Sequence, residues 1–309
     1  MINILFAARP ERWTAYEQPL RDALQAAGIT AHLAEEITPA EVDYIIYAPN
    51  SDLQDFTPYT RAKAVLNLWA GVERITDNKT LRIPLARMVD PGLTKGMVEW
   101  VTGHVLRYHL GMDAHIVNPA HEWHVTTPPL AHERNVVILG LGALGTACAD
   151  ALLGLGFRVT GWSRSPKNVK GVDCLHGDAG LSQALNRGEI VVTLLPDTPA
   201  TTDIINAQTL AQMPRGAFLI NPGRGPLIDD DALIAALDNG QLAHATLDVF
   251  RTEPLPQTDP YWAHPRVTVT PHIAAATRDK TASEQLVENI RRGEAGEPFI
   301  NLVDRKLGY

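Results

Sequence analysis

The stretch Asn135-Val-Val-Ile-Leu-Gly-Leu-Gly-Ala-Leu-Gly145 narrows the folds open to this chain more than any other. A run of β-favouring residues, Val136 to Leu139, enters a turn marked by Gly140, Gly142 and Gly145, and Cys148 to Leu153 then keeps an apolar face at helical spacing. Strand, glycine turn and helix in that order make the context in which G-x-G-x-x-G carries meaning. Gly140 permits a tight turn, Gly142 removes a Cβ where a pyrophosphate approaches the backbone, and Gly145 lets the helix lie close to the strand. Ala143 and Leu144 open the helix, whose unpaired N–H groups and positive dipole end suit phosphate. The spacing therefore predicts a dinucleotide site; a glycine-rich turn with no ligand is the bland alternative.

Such a unit needs about 100–200 residues, and the 309 residues present leave room for a second domain. Upstream, strand-like runs Ile2–Phe6, Tyr44–Tyr47, Val65–Trp69 and Ile83–Ala86 surround a helix predicted from Trp13 to Ala27 and closed by Gly28. Continuous apolar runs of this length suit parallel strands buried on both faces. This first unit ends near Pro91-Gly92, where an amphipathic helix over Leu93–Leu110 begins. After the glycine stretch, strands are predicted at 158–161, 190–195, 217–221, 243–249 and 267–270. Helices are predicted at 181–186, 206–212 and 230–239, the last capped by Asp229 and closed by Gly240. A final helix over Thr281–Arg292, followed by an extended tail from Gly293, is expected to return to the first domain. The fold class is α/β: two open parallel-sheet, Rossmann-like domains with an interdomain cleft. The divisions expected are 1–96 plus 275–309, a flavodoxin-like substrate domain, and 97–274, a nucleotide domain.

Charge and cysteine usage exclude other classes. A net charge of −8 disfavours non-specific nucleic-acid or anionic-membrane binding. No apolar run reaches the roughly 20 residues of a membrane span, and the N-terminus opens on a strand-like run without a basic n-region. Two cysteines, Cys148 and Cys174, argue against a disulfide framework and for the cytoplasm. His121-Glu-Trp-His124 imitates a zinc helix, but its histidines are one residue too close, so no metal is expected.

The choice between dinucleotides falls at the end of the second strand, roughly 20 residues beyond Gly140. NAD sites place an acid there; this chain has Trp162-Ser163-Arg164-Ser165-Pro166-Lys167. A guanidinium and two hydroxyls bind a 2′-phosphate that a carboxylate would repel. NADP, with NADPH preferred over NADH, is the expected cofactor, Arg164 its main contact and Lys167 a second.

Three more segments follow predicted strands of the same sheet, where ligands of open α/β folds bind: Asn221-Pro-Gly-Arg-Gly225, Leu247-Asp-Val-Phe-Arg-Thr-Glu-Pro254 and Thr270-Pro-His-Ile-Ala-Ala275. Singly, Arg224 could be a loop ion-pair partner, Glu253 a surface acid and His272 a turn histidine. As a set they offer a planar cation for a carboxylate and carbonyl, a titratable acid, and a carboxylate to orient it. Together the chain resembles the D-isomer-specific 2-hydroxyacid dehydrogenase family over nearly its whole length, with Arg224, Glu253 and His272 on the family's Arg, Glu and His. Further matching features are Trp162-Ser-Arg164 with Lys167, the 248–256 run, and the Asp304–Tyr309 terminus. The resemblance implies that His272 donates the proton with support from Glu253. It also implies that Asp248 bonds the nicotinamide carboxamide, that Leu195-Pro196 covers part of the cofactor, and that Asn221 and Gly223 lie at the cofactor.

In the first unit, Trp69-Ala-Gly-Val-Glu-Arg-Ile75 resembles the family's substrate loop, so the backbone of Ala70, Gly71 and Val72 is the candidate carboxylate site. Glu73 stands where the family usually has Asp and Trp69 where it often has Gly, which puts pocket size in question; Trp69 reads equally well as a core aromatic. The activity implied is reduction of small 2-oxo acids, glyoxylate and hydroxypyruvate foremost, by a homodimer. The alternatives are a dehydrogenase of a larger 2-hydroxy acid such as phosphoglycerate, and a dinucleotide-binding corepressor-like module without turnover.

Overall fold

The computed structural model describes residues 1–305; of the terminal segment that entered the resemblance, residues 306–309 lie outside it. The chain divides into two compact units, Met1–Leu93 with the segment from Ala276 onward, and Thr94–Ala275.

The described residues of the first unit form a five-stranded parallel sheet from β1 (Ile2–Ala7), β2 (Ala31–Ala34), β3 (Tyr44–Tyr47), β4 (Ala64–Asn67) and β5 (Leu85–Ala86), in the order β2-β1-β3-β4-β5. Alternation along each strand sends residues to opposite faces. Ile4, Phe6, Tyr44, Ile46 and Leu66 pack on one face, and Leu5, Ile45, Tyr47 and Val65 on the other. The first face is covered by the helix Pro10–Ala26 through Tyr16, Leu20 and Leu24, and by the helix Asp279–Ala295 through Ala282, Leu286, Val287 and Ile290. The C-terminal helix thus returns to the first unit, because its apolar stripe completes that core. The first helix begins three residues before the predicted Trp13, with Pro10 in its first turn, where a missing N–H costs nothing.

The second unit holds seven parallel strands: β6 (Asn135–Leu139), β7 (Arg158–Ser163), β8 (Asp173–His176), β9 (Ile190–Thr193), β10 (Ala217–Asn221), β11 (Leu242–Leu247) and β12 (Val267–Val269). Their order is β12-β11-β10-β9-β6-β7-β8. The order reverses at β6, flanked by β9 and β7, so the turn after β6 and the segment after β9 sit at the topological switch point. Val137 and Leu139 face one core layer, Val136 and Ile138 the other.

Two strands went unpredicted, β2 and β8. Each lies at an edge of its sheet and is only partly buried, so neither shows the continuous apolar run of an interior strand.

Asp90 closes off the first unit. Its fully buried carboxylate accepts the N–H groups of Gly92 (2.7 Å) and Leu93 (2.9 Å) at the start of the helix Pro91–His109, and also the Arg278 N–H (3.3 Å) and the Thr281 hydroxyl near the start of the last helix.

Candidate active site

At the switch point, β6 delivers the chain to Gly140, whose φ of 110° lies outside the range comfortable for other residues. Its N–H donates to the Trp162 carbonyl at 2.8 Å. A Cβ there would stand 2.5 Å from the Leu194 carbonyl oxygen, and one at Gly145 would stand 1.8 Å from that of Gly140. These two glycines are required by the protein's own packing. Gly142 is different: a Cβ added to it would meet nothing within 4 Å. The absent side chain leaves open space beside the first turn of the helix Ala143–Gly154, where Ala143 and Leu144 present N–H groups that the helix itself does not use.

The turn after β7 divides into a buried base and an exposed tip. Trp162 is buried in the core and its indole N–H donates to the Gly177 carbonyl at 2.8 Å. Its side chain thus anchors the base of the turn. Ser163 is buried, and its hydroxyl is spent on the Ser165 carbonyl at 2.8 Å. Arg164, Ser165 and Lys167 are exposed, and no carboxylate stands among residues 163–167.

The three catalytic candidates follow β10, β11 and β12. Asn221 is fully buried and committed inside its own loop: its Oδ1 accepts from Thr193 Oγ1 (2.6 Å) and the Gly223 N–H (3.1 Å), and its Nδ2 donates to the Arg224 carbonyl (3.0 Å). The glycines on either side of Arg224 are required by the protein's own packing. A Cβ at Gly223 would come within 2.7 Å of the Thr193 carbonyl oxygen, and one at Gly225 within 2.0 Å of the Phe250 carbonyl carbon. Gly225 therefore lets the Arg224 loop lie backbone to backbone against the segment that leads to Glu253. Arg251 braces the same junction, its guanidinium bonded to Asp203 and the Ile228 carbonyl and 3.3 Å from Asp230. Leu195 packs in the core behind these loops, and Pro196 is half-buried beside it.

His272 Nδ1 and Glu253 Oε2 are 2.7 Å apart, and Glu253 Oε1 accepts the Phe250 N–H at 2.9 Å. The Glu253 hydrogen bond raises the His272 pKa above its ordinary value; burial and the Arg224 charge oppose the rise, while the charges of Glu253 and Asp248 add to it. Burial pushes the Glu253 pKa up, but the hydrogen bonds from His272 and the Phe250 N–H, with the charges of His272 and Arg224, outweigh it and leave it below its usual value. The pair therefore favours imidazolium beside carboxylate, and the Arg224 cation is close enough to act on both.

His272 has φ 54°, a left-handed conformation that costs a non-glycine residue about 1–2 kcal/mol. Asp248 holds it there. The Asp248 carbonyl accepts the His272 N–H (2.8 Å), and its buried carboxylate accepts the Thr270 hydroxyl (2.5 Å) and the N–H groups of Ile273 and Ala274 (2.9 Å each). These bonds make the Asp248 carboxylate a scaffold of the histidine turn. Spacing alone gave no sign of that, nor of the brace at Arg251.

In the first unit, the segment after β4 carries Trp69, Ala70, Gly71 and Val72. Trp69 packs against the core of that unit, which favours its structural reading. Among the described residues, the N–H groups of Ala70, Gly71 and Val72 have no acceptor, although Val72 is buried. Backbone donors with no partner inside the protein are open to an outside acceptor.

Residues 105–274 match the model of the D-isomer specific 2-hydroxyacid dehydrogenase family, NAD binding domain. The chain belongs to this family. A curated relative from Serratia proteamaculans, glyoxylate/hydroxypyruvate reductase A, is 39% identical over the full length of both chains. Among solved structures, a D-isomer specific 2-hydroxyacid dehydrogenase from Xanthobacter autotrophicus Py2, in complex with NADPH and MES, is 41% identical with a TM-score of 0.93 over 99% of both chains. An NADPH-dependent glyoxylate/hydroxypyruvate reductase from Sinorhizobium meliloti, in complex with NADP and sulfate, is 32% identical with a TM-score of 0.85, covering 100% of this chain and 99% of the other. For a D-isomer specific 2-hydroxyacid dehydrogenase, the seven-stranded unit is the dinucleotide half, and its switch point is the place already marked by Gly142.

Proposed function

We propose that this chain is an NADPH-dependent reductase of small 2-oxo acids, converting glyoxylate to glycolate and hydroxypyruvate to D-glycerate. The observation that carries the reading is the His272–Glu253 pair, under the charge of Arg224, in the unit that also bears the glycine turn. The relatives are named for these substrates, and the related structures hold NADP or NADPH.

The cofactor fits the residues present. The space at Gly142 suits a pyrophosphate lying on the N–H groups of Ala143 and Leu144, and the exposed tip of Arg164, Ser165 and Lys167 suits a 2′-phosphate. NADPH, when bound, supplies the hydride that the substrate's carbonyl carbon receives. The chain supplies the proton and the charges. Nδ1 of His272 faces Glu253, so Nε2 is the nitrogen available to protonate the developing alkoxide. In the second unit Arg224 offers a planar fork to the substrate's carbonyl oxygen, and in the first unit, taken by itself, the N–H groups of Ala70 to Val72, which have no acceptor among the described residues, suit a carboxylate. The balance is 2-oxo acid, NADPH and a proton giving 2-hydroxy acid and NADP⁺.

An initial-rate panel tests this: both cofactors against glyoxylate, hydroxypyruvate, pyruvate and phosphohydroxypyruvate. Turnover of the first two with NADPH is expected. Tight NADPH binding with no turnover of any acid would replace the reading with a non-catalytic dinucleotide-binding module.

Two substitutions probe its parts. Arg164→Asp removes the guanidinium and adds a carboxylate that repels a 2′-phosphate, so the Kd for NADPH should rise by roughly 10- to 100-fold while that for NADH changes little. Equal responses of the two cofactors in a fluorescence titration would end the phosphate-site argument. Glu253→Gln removes the carboxylate that holds the His272 pKa up. The group needed for reduction is the protonated imidazole, whose population falls as pH rises through its pKa. In the variant that fall comes earlier, so the alkaline limb of the kcat/KM profile should move to lower pH. An unmoved limb would separate Glu253 from the ionisation of His272.

We also propose a homodimer and a cytoplasmic location. The dimer is supported by a run of exposed apolar side chains in the second unit, Ile116, Val117, Trp123, Val125 and Leu130, and sedimentation of a monomer at micromolar concentration would refute it. The location rests on the pair of free cysteines, and recovery of the protein outside the cytoplasmic fraction would refute it.

A further inference from the structure

We propose that Asn67 is the positioning residue of the substrate loop: it turns the N–H groups of Ala70 and Val72 toward the substrate carboxylate. The inference rests on the assignment of that loop in the preceding reading.

Asn67 ends β4, and its side chain is 1% exposed. Its Nδ2 donates to two carbonyls of the loop that follows, Trp69 at 2.8 Å and Gly71 at 3.0 Å. The peptide group is planar and trans, so the C=O of one residue and the N–H of the next point in opposite directions. Drawing the Trp69 carbonyl onto Asn67 sends the Ala70 N–H the other way. Drawing the Gly71 carbonyl onto the same nitrogen does this for the Val72 N–H. One amide thus orients two donors at once, and those donors have no acceptor among the described residues.

The asymmetry of the amide supports a built device over incidental packing. Asn67 Oδ1 is buried with no partner. A buried acceptor left unpaired is destabilising, and the arrangement persists because both amide protons are used. The reversed amide would aim Oδ1 at two carbonyl oxygens, so the hydrogen-bond network leaves a single orientation. The two loop carbonyls differ in their support. Trp69 also accepts the Met88 N–H at 3.1 Å, whereas among the described residues the bond to the Gly71 carbonyl comes from Asn67 alone. The Val72 donor therefore depends on Asn67 most.

The test uses the full chain and compares wild type, Asn67→Leu, which keeps the volume and loses both donors, and Asn67→Ser, which keeps a shorter donor. KM for glyoxylate and the Kd of oxalate, a carboxylate that cannot be reduced, measured with NADPH present, should both rise by roughly 10- to 100-fold in Asn67→Leu. Asn67→Ser should fall between that variant and wild type. In both, kcat and the Kd of NADPH should stay within a few-fold of wild type. An unchanged KM and oxalate Kd in folded Asn67→Leu overturns the inference, as does a loss confined to kcat, which is what a merely structural role would produce. Should Asn67→Leu fail to fold, an unchanged oxalate Kd in Asn67→Ser overturns it. Absence of turnover in the wild type would instead strike the functional reading, and the oxalate titration would still decide the role of Asn67.

Discussion

His272→Ala is expected to lower kcat for glyoxylate reduction by about 10²- to 10⁴-fold, the range for loss of a positioned general acid, with the Kd for NADPH unchanged. The argument starts from the backbone. His272 is held at φ 54° by bonds to Asp248, and its Nδ1 is engaged by Glu253, so the position and orientation of the ring are set before a substrate arrives. Alanine keeps the backbone bonds and removes only the imidazole, so the loss should fall on the chemical step. Single-turnover mixing of the enzyme–NADPH complex with glyoxylate reads that step, and a fluorescence titration reads the cofactor. Turnover equal to wild type would remove His272 as the acid.

Arg224→Ala should lower kcat/KM for glyoxylate by about 10²- to 10³-fold, the scale for removing an aligned charged donor from a developing oxyanion. Its effect on ionisation works the other way. The Arg224 charge pulls the His272 pKa down, so its loss leaves His272 more readily protonated, and the acid is not what fails near neutral pH. The deficit is therefore a substrate deficit. Steady-state rates with glyoxylate, beside an unchanged Kd for NADPH, are the check. A kcat/KM within a few-fold of wild type would leave Arg224 as a loop ion-pair partner.

Much of the fold was legible in the sequence because interior parallel strands are apolar on both faces. Tyr44–Tyr47 and Asn135–Leu139 could hardly be anything else. The edge strands β2 and β8 lacked that signature. The candidate loops of Arg224, Glu253 and His272 were legible as residue types placed after strands, but the reasons for their neighbours were not. Gly223 and Gly225 leave room for the backbones of Thr193 and Phe250, a need that no linear pattern shows. The bonds by which Asp248 holds the histidine turn had no spacing signature, and neither had the Asn67 side chain at the end of its strand. Such roles depend on which segments the fold brings side by side, and a linear pattern carries little of that.

The contact between Gly225 and the Phe250–Arg251 backbone bears on how the protein can diverge. Because the Arg224 and Glu253 loops abut through main chain, no exchange of surface side chains resets the distance between them. The turn at 164–167 is exposed, with its anchors, Trp162 and Ser163, buried beneath it. If the exposed tip takes the 2′-phosphate as proposed, coenzyme choice can drift by single substitutions while the reaction stays put, and descendants of this sequence should then differ in their electron donor far more readily than in their chemistry.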